Sequence, residues 1–148
     1  MPFLNEDRGQ SLVELALTLP ILVFSLLGGA DLARAYALQL AVQNGARAGA
    51  EAAAINQSPT AQLAIDRARD EMSRTPGMDV TDLTNPLVTA VFAKTDGITA
   101  CANPPSAADP CFATVRVRFT FRTITPWPLV PNTANFDRQT VFRTIARP

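Results

Sequence analysis

The sequence predicts an α+β protein: a long N-terminal helix, first transmembrane and then a stalk, a second short helix, and a small three- to four-stranded antiparallel sheet. Three observations predict it. Residues 15–30, LALTLPILVFSLLGGA, carry no charge. Residues 31–55 continue as an Ala-rich helical pattern. After Gly77 the period changes to alternation, cleanest in TVRVRFTFRTIT at residues 114–125. The 148 residues suffice for one domain, or for a small domain with an appendage.

Leu12 and Val13 extend the apolar run at its start, interrupted by Glu14. As a helix at ~1.5 Å per residue, residues 12–30 span ~28 Å, close to the ~30 Å hydrocarbon core of a bilayer. An amphipathic core helix would show polar positions every few residues, and this stretch shows only Thr18 and Ser25. Pro20 removes one backbone hydrogen bond and implies a kink, with the Thr18 hydroxyl near enough to serve the freed carbonyl. A carboxylate at Glu14 is costly inside a bilayer, so it marks either a buried partner or the wet headgroup level.

Beyond Ala30 a continuous helix over residues 11–55 would reach ~68 Å, too long for a compact domain of this size. Gln39, Gln43, Arg47 and Glu51 fall at spacing four and line one face, where Arg47 and Glu51 can pair. Ala41, Gly45 and Gly49 form a row of small residues that lets helix backbones approach closely. Two uses are open: a packing surface between subunits, or a seat for this chain's own domain. Asn56, Gln57, Ser58 and Pro59 end the helix.

Ser58 as N-cap with Pro59 at the first helical position starts a second helix over residues 59–74. Its apolar side is Ala61, Ala64, Ile65, Ala68 and Met72, and Thr75-Pro76-Gly77 stops it. Leu87–Ala93 reads as a buried strand. In residues 114–125, Val115, Val117, Phe119 and Phe121 share one face, and Arg116, Arg118, Thr120 and Arg122 the other. Pro126-Trp127-Pro128 breaks this strand, and residues 136–146 read as the last one. Cys101 and Cys111 bracket a Pro-rich loop between the first two strands. Outside the cytoplasm they would form a disulfide; the alternative is two free buried thiols. Arg116, Arg118, Arg122, Arg138, Arg143 and Arg147 face one acid, Asp137, in this region. They make either a solvated sheet face or a patch for an acidic partner or anionic surface.

Composition narrows the function. Net charge is zero and stacking aromatics are missing from the Arg-bearing face, which argues against nucleic acid as a partner. With no His in the chain, Ser-His-Asp and Cys-His nucleophile systems and His metal ligands are excluded. No phosphate-cradling Gly loop is present, and the cysteine spacing is not that of a CxxC redox pair. No enzyme, metal or cofactor is expected.

Residues 8–14, RGQSLVE, followed by the apolar run, resemble the class III signal of type IV pilins. The resemblance extends over RGQSLVELALTLPILVF and VQNGARAGAEAAA (residues 42–54) to TadE-like proteins, minor pilin-like subunits of the tight-adherence (Flp, type IVc) pilus system. It implies cleavage by prepilin peptidase after Gly9, so that Gln10 becomes the first mature residue and Glu14 the fifth. It implies that Glu14 pairs with the N-terminal amine of an adjacent subunit. By the same resemblance the partners are the prepilin peptidase, the major Flp pilin, companion minor pilin-like subunits and the inner-membrane assembly platform. The role implied is pilus assembly, surface adhesion and biofilm formation.

The expected division is a leader over residues 1–9, a transmembrane part over 10–30, a helical stalk over 31–57 and an extracytoplasmic α+β domain over 58–148. The lipid bilayer is then a partner, and the inner membrane the site. Only Arg8 is basic in the leader, against Glu6 and Asp7, so the positive-inside signal rests on it and the amino terminus. Two rivals remain. One is an ordinary secretory signal with residues 15–27 as its apolar core and a small-residue cleavage site at residues 28–30 or 33–35. The other is a tethered or secreted binding module with no polymer role.

Overall fold

The structure, a computed structural model, describes residues 6–56, 58–102, 105–106 and 110–145, with side chains from residue 9 onward. Most of the expected leader, Gln57 at the expected helix end, Pro104, Ala146 and Arg147 lie outside the described residues.

Helix α1 (Glu6–Ile55) is a single run of 50 residues. At ~1.5 Å per residue it is ~75 Å long. It passes through Pro20 without interruption. Thr18 does not serve the carbonyl that Pro20 frees. That carbonyl belongs to Ala16, whereas the Thr18 hydroxyl reaches a full turn back, donating to the Glu14 carbonyl at 2.9 Å and the Leu15 carbonyl at 3.3 Å. The helix has two environments. Leu12, Leu17, Ile21, Phe24 and Leu26 are all more than half exposed. From Asp31 on, one stripe is buried: Leu38, Ala41, Val42, Ala46, Ala50 and Ala53. Their three- and four-residue spacing puts them on one side. Arg47 and Glu51 are exposed and make no ion pair among the described residues.

Helix α2 (Ala61–Ser73) starts two residues later than expected, because Thr60, not Ser58, is its N-cap. The Thr60 side chain accepts from the Leu63 N–H at 3.1 Å, satisfying one orphan donor of the first turn. Gly77, at φ +84°, turns the chain away after the helix. The antiparallel sheet has strand order β1-β2-β3 (Leu87–Ala93, Phe112–Arg122, Thr133–Arg143). Each outer strand pairs antiparallel with β2.

Alternation along β2 buries Ala113, Val115, Val117 and Phe121 beneath the helices. Met72, Ala68 and Ala64 of α2 close the core with the α1 stripe. Phe136 stacks on Phe119 and Phe121, at centroid distances of 6.4 and 6.1 Å. The Arg ladder is not all on one face. Register pairs Arg138 with Val117, so Arg138 stands on the helix side of the sheet while Arg116, Arg118 and Arg122 stand on the other. After β3 the chain returns to α1: the Ile145 N–H donates to the Ala54 carbonyl at 2.8 Å, capping a carbonyl that the helix end leaves free.

Cys101 and Cys111 are bonded, with Cα atoms 5.7 Å apart. Replacing both with Ser should cost about 2–3 kcal/mol, the loop-closure term for a separation of 10 residues. Urea unfolding of the detergent-solubilised chain measures it.

Beside this loop, Asp96 accepts from the Thr99 hydroxyl and from the N–H groups of Ile98 (3.0 Å) and Thr99 (2.9 Å). The Thr99 hydroxyl first, then these amides, hold its carboxyl at about 2, below the ordinary 3.8. A depressed folded value means the turn is fully supported above the ordinary value and loses that support as pH falls through about 2. The Asp96 carboxyl carbon shift, followed by NMR on acidification, should move only near that lower value.

Candidate functional site

Two regions of α1 carry groups with no role in the core. The first is its N-terminal end. Gly9 is exposed, in the first turns of α1, with no side chain or neighbouring element within 4 Å of where a Cβ would stand. Gln10 donates through Nε2 to Glu14 Oε1 at 3.0 Å, one turn away on the same face. Glu14 is exposed, and it is the only charged residue between Gly9 and Asp31. The segment around it has a window of mean hydropathy 2.0 with none of it buried, and the helix is long and apolar enough to cross a membrane.

The second region is the clamp where the apolar run ends. Asp31 is 6% exposed. Its carboxylate accepts from the backbone N–H groups of Ile124 (3.0 Å) and Thr125 (3.3 Å), from Trp127 Nε1 (3.2 Å) and from Arg34 (3.2 Å). One short side chain thus fastens the β2–β3 loop to the helix. The Trp127 ring lies over Gly28, where a Cβ would sit 3.4 Å from its edge, and meets Phe24 edge-on at 6.4 Å. Arg34 in turn lies over the Phe121 ring at 5.6 Å. Asp31→Ala would leave three donors of the loop, two backbone amides and the Trp127 indole N–H, without a partner. In the detergent-solubilised chain the expected result is a red shift of Trp127 emission and several-fold faster proteolysis within residues 123–132.

The row Ala41, Gly45 and Gly49 lies buried inside this chain, with its two glycines as the seat of α2. A Cβ on Gly45 would come 2.6 Å from Met72 Cγ, and one on Gly49 2.6 Å from the Ala64 carbonyl oxygen. On the outer sheet face, Arg116 grips Asp137 with two nitrogens, one of them at 2.8 Å. That pair raises the Arg116 pKa and lowers that of Asp137. Among the described residues no group of three or more His, Cys, Asp or Glu is placed to hold a metal.

The family model described as TadE-like protein matches residues 9–51. That stretch is a TadE-like segment. It starts at the exposed Gly9, includes Gln10, Glu14, Asp31 and the small-residue row, and ends before α2 and the sheet. The match supports a Tad pilus-associated protein. No curated protein and no solved structure matches the chain.

Asp31 was not singled out by sequence reasoning. Apart from Arg34, its partners lie 93 or more positions away. The available signals were an acid directly after the TadE-like apolar run and a single Trp set between two prolines. Neither says that the two meet.

Proposed function

We propose that this chain is a minor pilin-like (pseudopilin) subunit supporting assembly of a Tad/Flp type IV pilus. Prepilin peptidase cuts it after Gly9, residues 10–30 hold it in the inner membrane, and residues 58–148 stand outside the cytoplasm. The observation that carries the reading is Glu14, a lone carboxylate on an exposed and otherwise uncharged apolar rod. Such a charge is tolerated in an apolar assembly when an opposite charge meets it, and the new amine at Gln10 of a neighbouring subunit is that charge. The partners are then the peptidase, the major Flp pilin, companion minor pilin-like subunits, the inner-membrane platform and the bilayer. The work is structural, serving adhesion and biofilm formation, and the disulfide of Cys101 with Cys111 suits the oxidising side of the membrane.

Mass spectrometry of the mature chain, taken separately from sheared surface filaments and from inner membrane, tests this. An N-terminus at Gln10 is expected. An N-terminus at Asp31 or Tyr36 would mean removal of the whole apolar rod and would overturn the reading.

A further inference from the structure

We propose that the β2–β3 loop, residues 123–132, is a second membrane contact that lies in the lipid interface beside the point where α1 leaves the bilayer. This rests on α1 spanning the membrane and adds a second element to that anchor.

Position is the first argument. The Trp127 indole is bonded to Asp31 and its far edge lies over Gly28, three residues or ~4.5 Å back along the helix, where it meets the Phe24 ring edge-on inside the apolar run. An indole with an apolar body and a bonded N–H is the side chain found at that depth. The loop's exposed surface is therefore continuous with the lipid-facing surface of the helix.

Composition is the second. Residues 123–132 read TITPWPLVPN, without a charge. Ile124, Leu129 and Val130 are 73%, 93% and 61% exposed, an apolar tip turned away from the domain. Between the loop and α1 runs an open, mostly apolar groove of about 630 Å³, lined by Leu32, Tyr36, Phe121, Trp127 and Val130 among others. In water such a surface is unfavourable; in the acyl-chain boundary it is matched.

The backbone supplies the third argument. A loop entering lipid must satisfy its N–H groups from within the protein. Pro126, Pro128 and Pro131 have none. Ile124 and Thr125 donate to Asp31, Thr123 donates to the Asn132 carbonyl at 3.0 Å, and Trp127 donates to Asn132 Oδ1 at 2.6 Å. Asn132 closes the loop by donating to the Trp127 carbonyl at 3.3 Å. The base of the loop is thus internally bonded, while the amides of Leu129 and Val130 at its apolar tip have no acceptor among the described residues and are met by water at headgroup level, which keeps the loop in the interface.

Trp127 is the only Trp in the chain, which makes the test direct. In a Trp127→Phe background, the full chain carrying Leu129→Trp is reconstituted into phosphatidylethanolamine–phosphatidylglycerol vesicles. These contain phosphatidylcholine brominated either near the ester linkage or near the chain ends. A parallel sample carries Phe24→Trp. Ile124→Trp replaces Leu129→Trp if that variant does not fold. The loop indole is expected to emit at shorter wavelength than in water and to lose most of its emission to the shallow bromines. The position-24 indole should be quenched more by the deeper ones. A loop indole that emits as in water and is untouched by bromine, beside a quenched position-24 indole, overturns the loop contact while α1 still spans. If neither is quenched, the spanning reading fails and the loop contact with it. A blue-shifted loop indole that no brominated lipid quenches, and whose shift grows with protein density, means that a second copy covers the loop and overturns the lipid assignment.

Discussion

Cells carrying Glu14→Leu are expected to lose surface filaments while the chain still folds and enters the membrane. Among the described residues the Glu14 carboxylate accepts from Gln10, on a stretch of α1 that the domain does not cover before Phe24. Nothing in the core depends on it, and an added Leu makes the rod more apolar. In an assembly the effect is opposite. Removing one member of an apolar-enclosed ion pair leaves the other bare, at about 3–5 kcal/mol. At ~1.4 kcal/mol per tenfold, that is a loss of more than a hundredfold in each joint. Glu14→Gln keeps an acceptor but no charge, so it should fall between Leu and the parent. Sheared-filament yield, compared with the chain in the membrane fraction, measures the effect. Normal yield from Glu14→Leu would remove the carboxylate from the assembly mechanism.

The parts legible in the sequence are those governed by local period. Strand β1 lies at Leu87–Ala93 as expected, since a short apolar run bounded by turn residues has few alternatives. The α+β class and the cover of two helices over three strands also follow from pattern. Boundaries set by long-range partners were not legible. Strand β2 begins at Phe112, before the expected Thr114, because Phe112 pairs with Ala93 and Arg143. It ends at Arg122: the Thr123 amide still reaches the Asn132 carbonyl, and those of Ile124 and Thr125 then turn to Asp31. Strand β3 starts at Thr133, earlier than Phe136, since Thr133 and Asn135 pair with Arg122 and Thr120. It ends at Arg143: the Thr144 amide still donates to the Cys111 carbonyl, the next position in the same register, and the Ile145 amide then turns to Ala54 of α1. Arg138 was placed with the outward arginines because composition shows a ladder but not a register. In the site the contrast is the same. Gly9, Gln10 and Glu14 are adjacent in sequence and recognisable as a motif. The Asp31 clamp joins residues from opposite ends of the chain, and no local pattern marks it.

Gly49→Leu is expected to unseat α2 and unfold the domain, whereas Gly29→Leu should leave it intact. The difference is what a side chain would meet. At Gly49 even a Cβ would stand 2.6 Å from the Ala64 carbonyl oxygen, 3.0 Å from Ala68 Cβ and 3.3 Å from Val115 Cγ1. Two of these atoms belong to α2 and one to β2, so moving away from one helix drives into the sheet. None is the end of a flexible chain. Gly49→Ala sets two effects against each other. Ala stabilises a helix interior by ~1 kcal/mol over Gly, while overpacking a closed core costs typically ~1–3 kcal/mol. With a backbone oxygen as the nearest atom, the clash wins, and a net loss of roughly 1–2 kcal/mol is expected. Gly45→Ala should cost less, because its nearest neighbour is the adaptable Met72 side chain and the backbone oxygen it meets, that of Ala68, stands farther off at 3.0 Å. At Gly29 nothing lies within 4 Å, so Ala there should be neutral or stabilising by up to ~1 kcal/mol. Urea unfolding of the four detergent-solubilised variants, followed by far-ultraviolet circular dichroism, should rank Gly49→Leu, Gly49→Ala, Gly45→Ala and Gly29→Ala from least to most stable. If Gly49→Ala matched Gly29→Ala, the row would not be the seat of α2, and its small residues would be free to serve contacts between subunits instead.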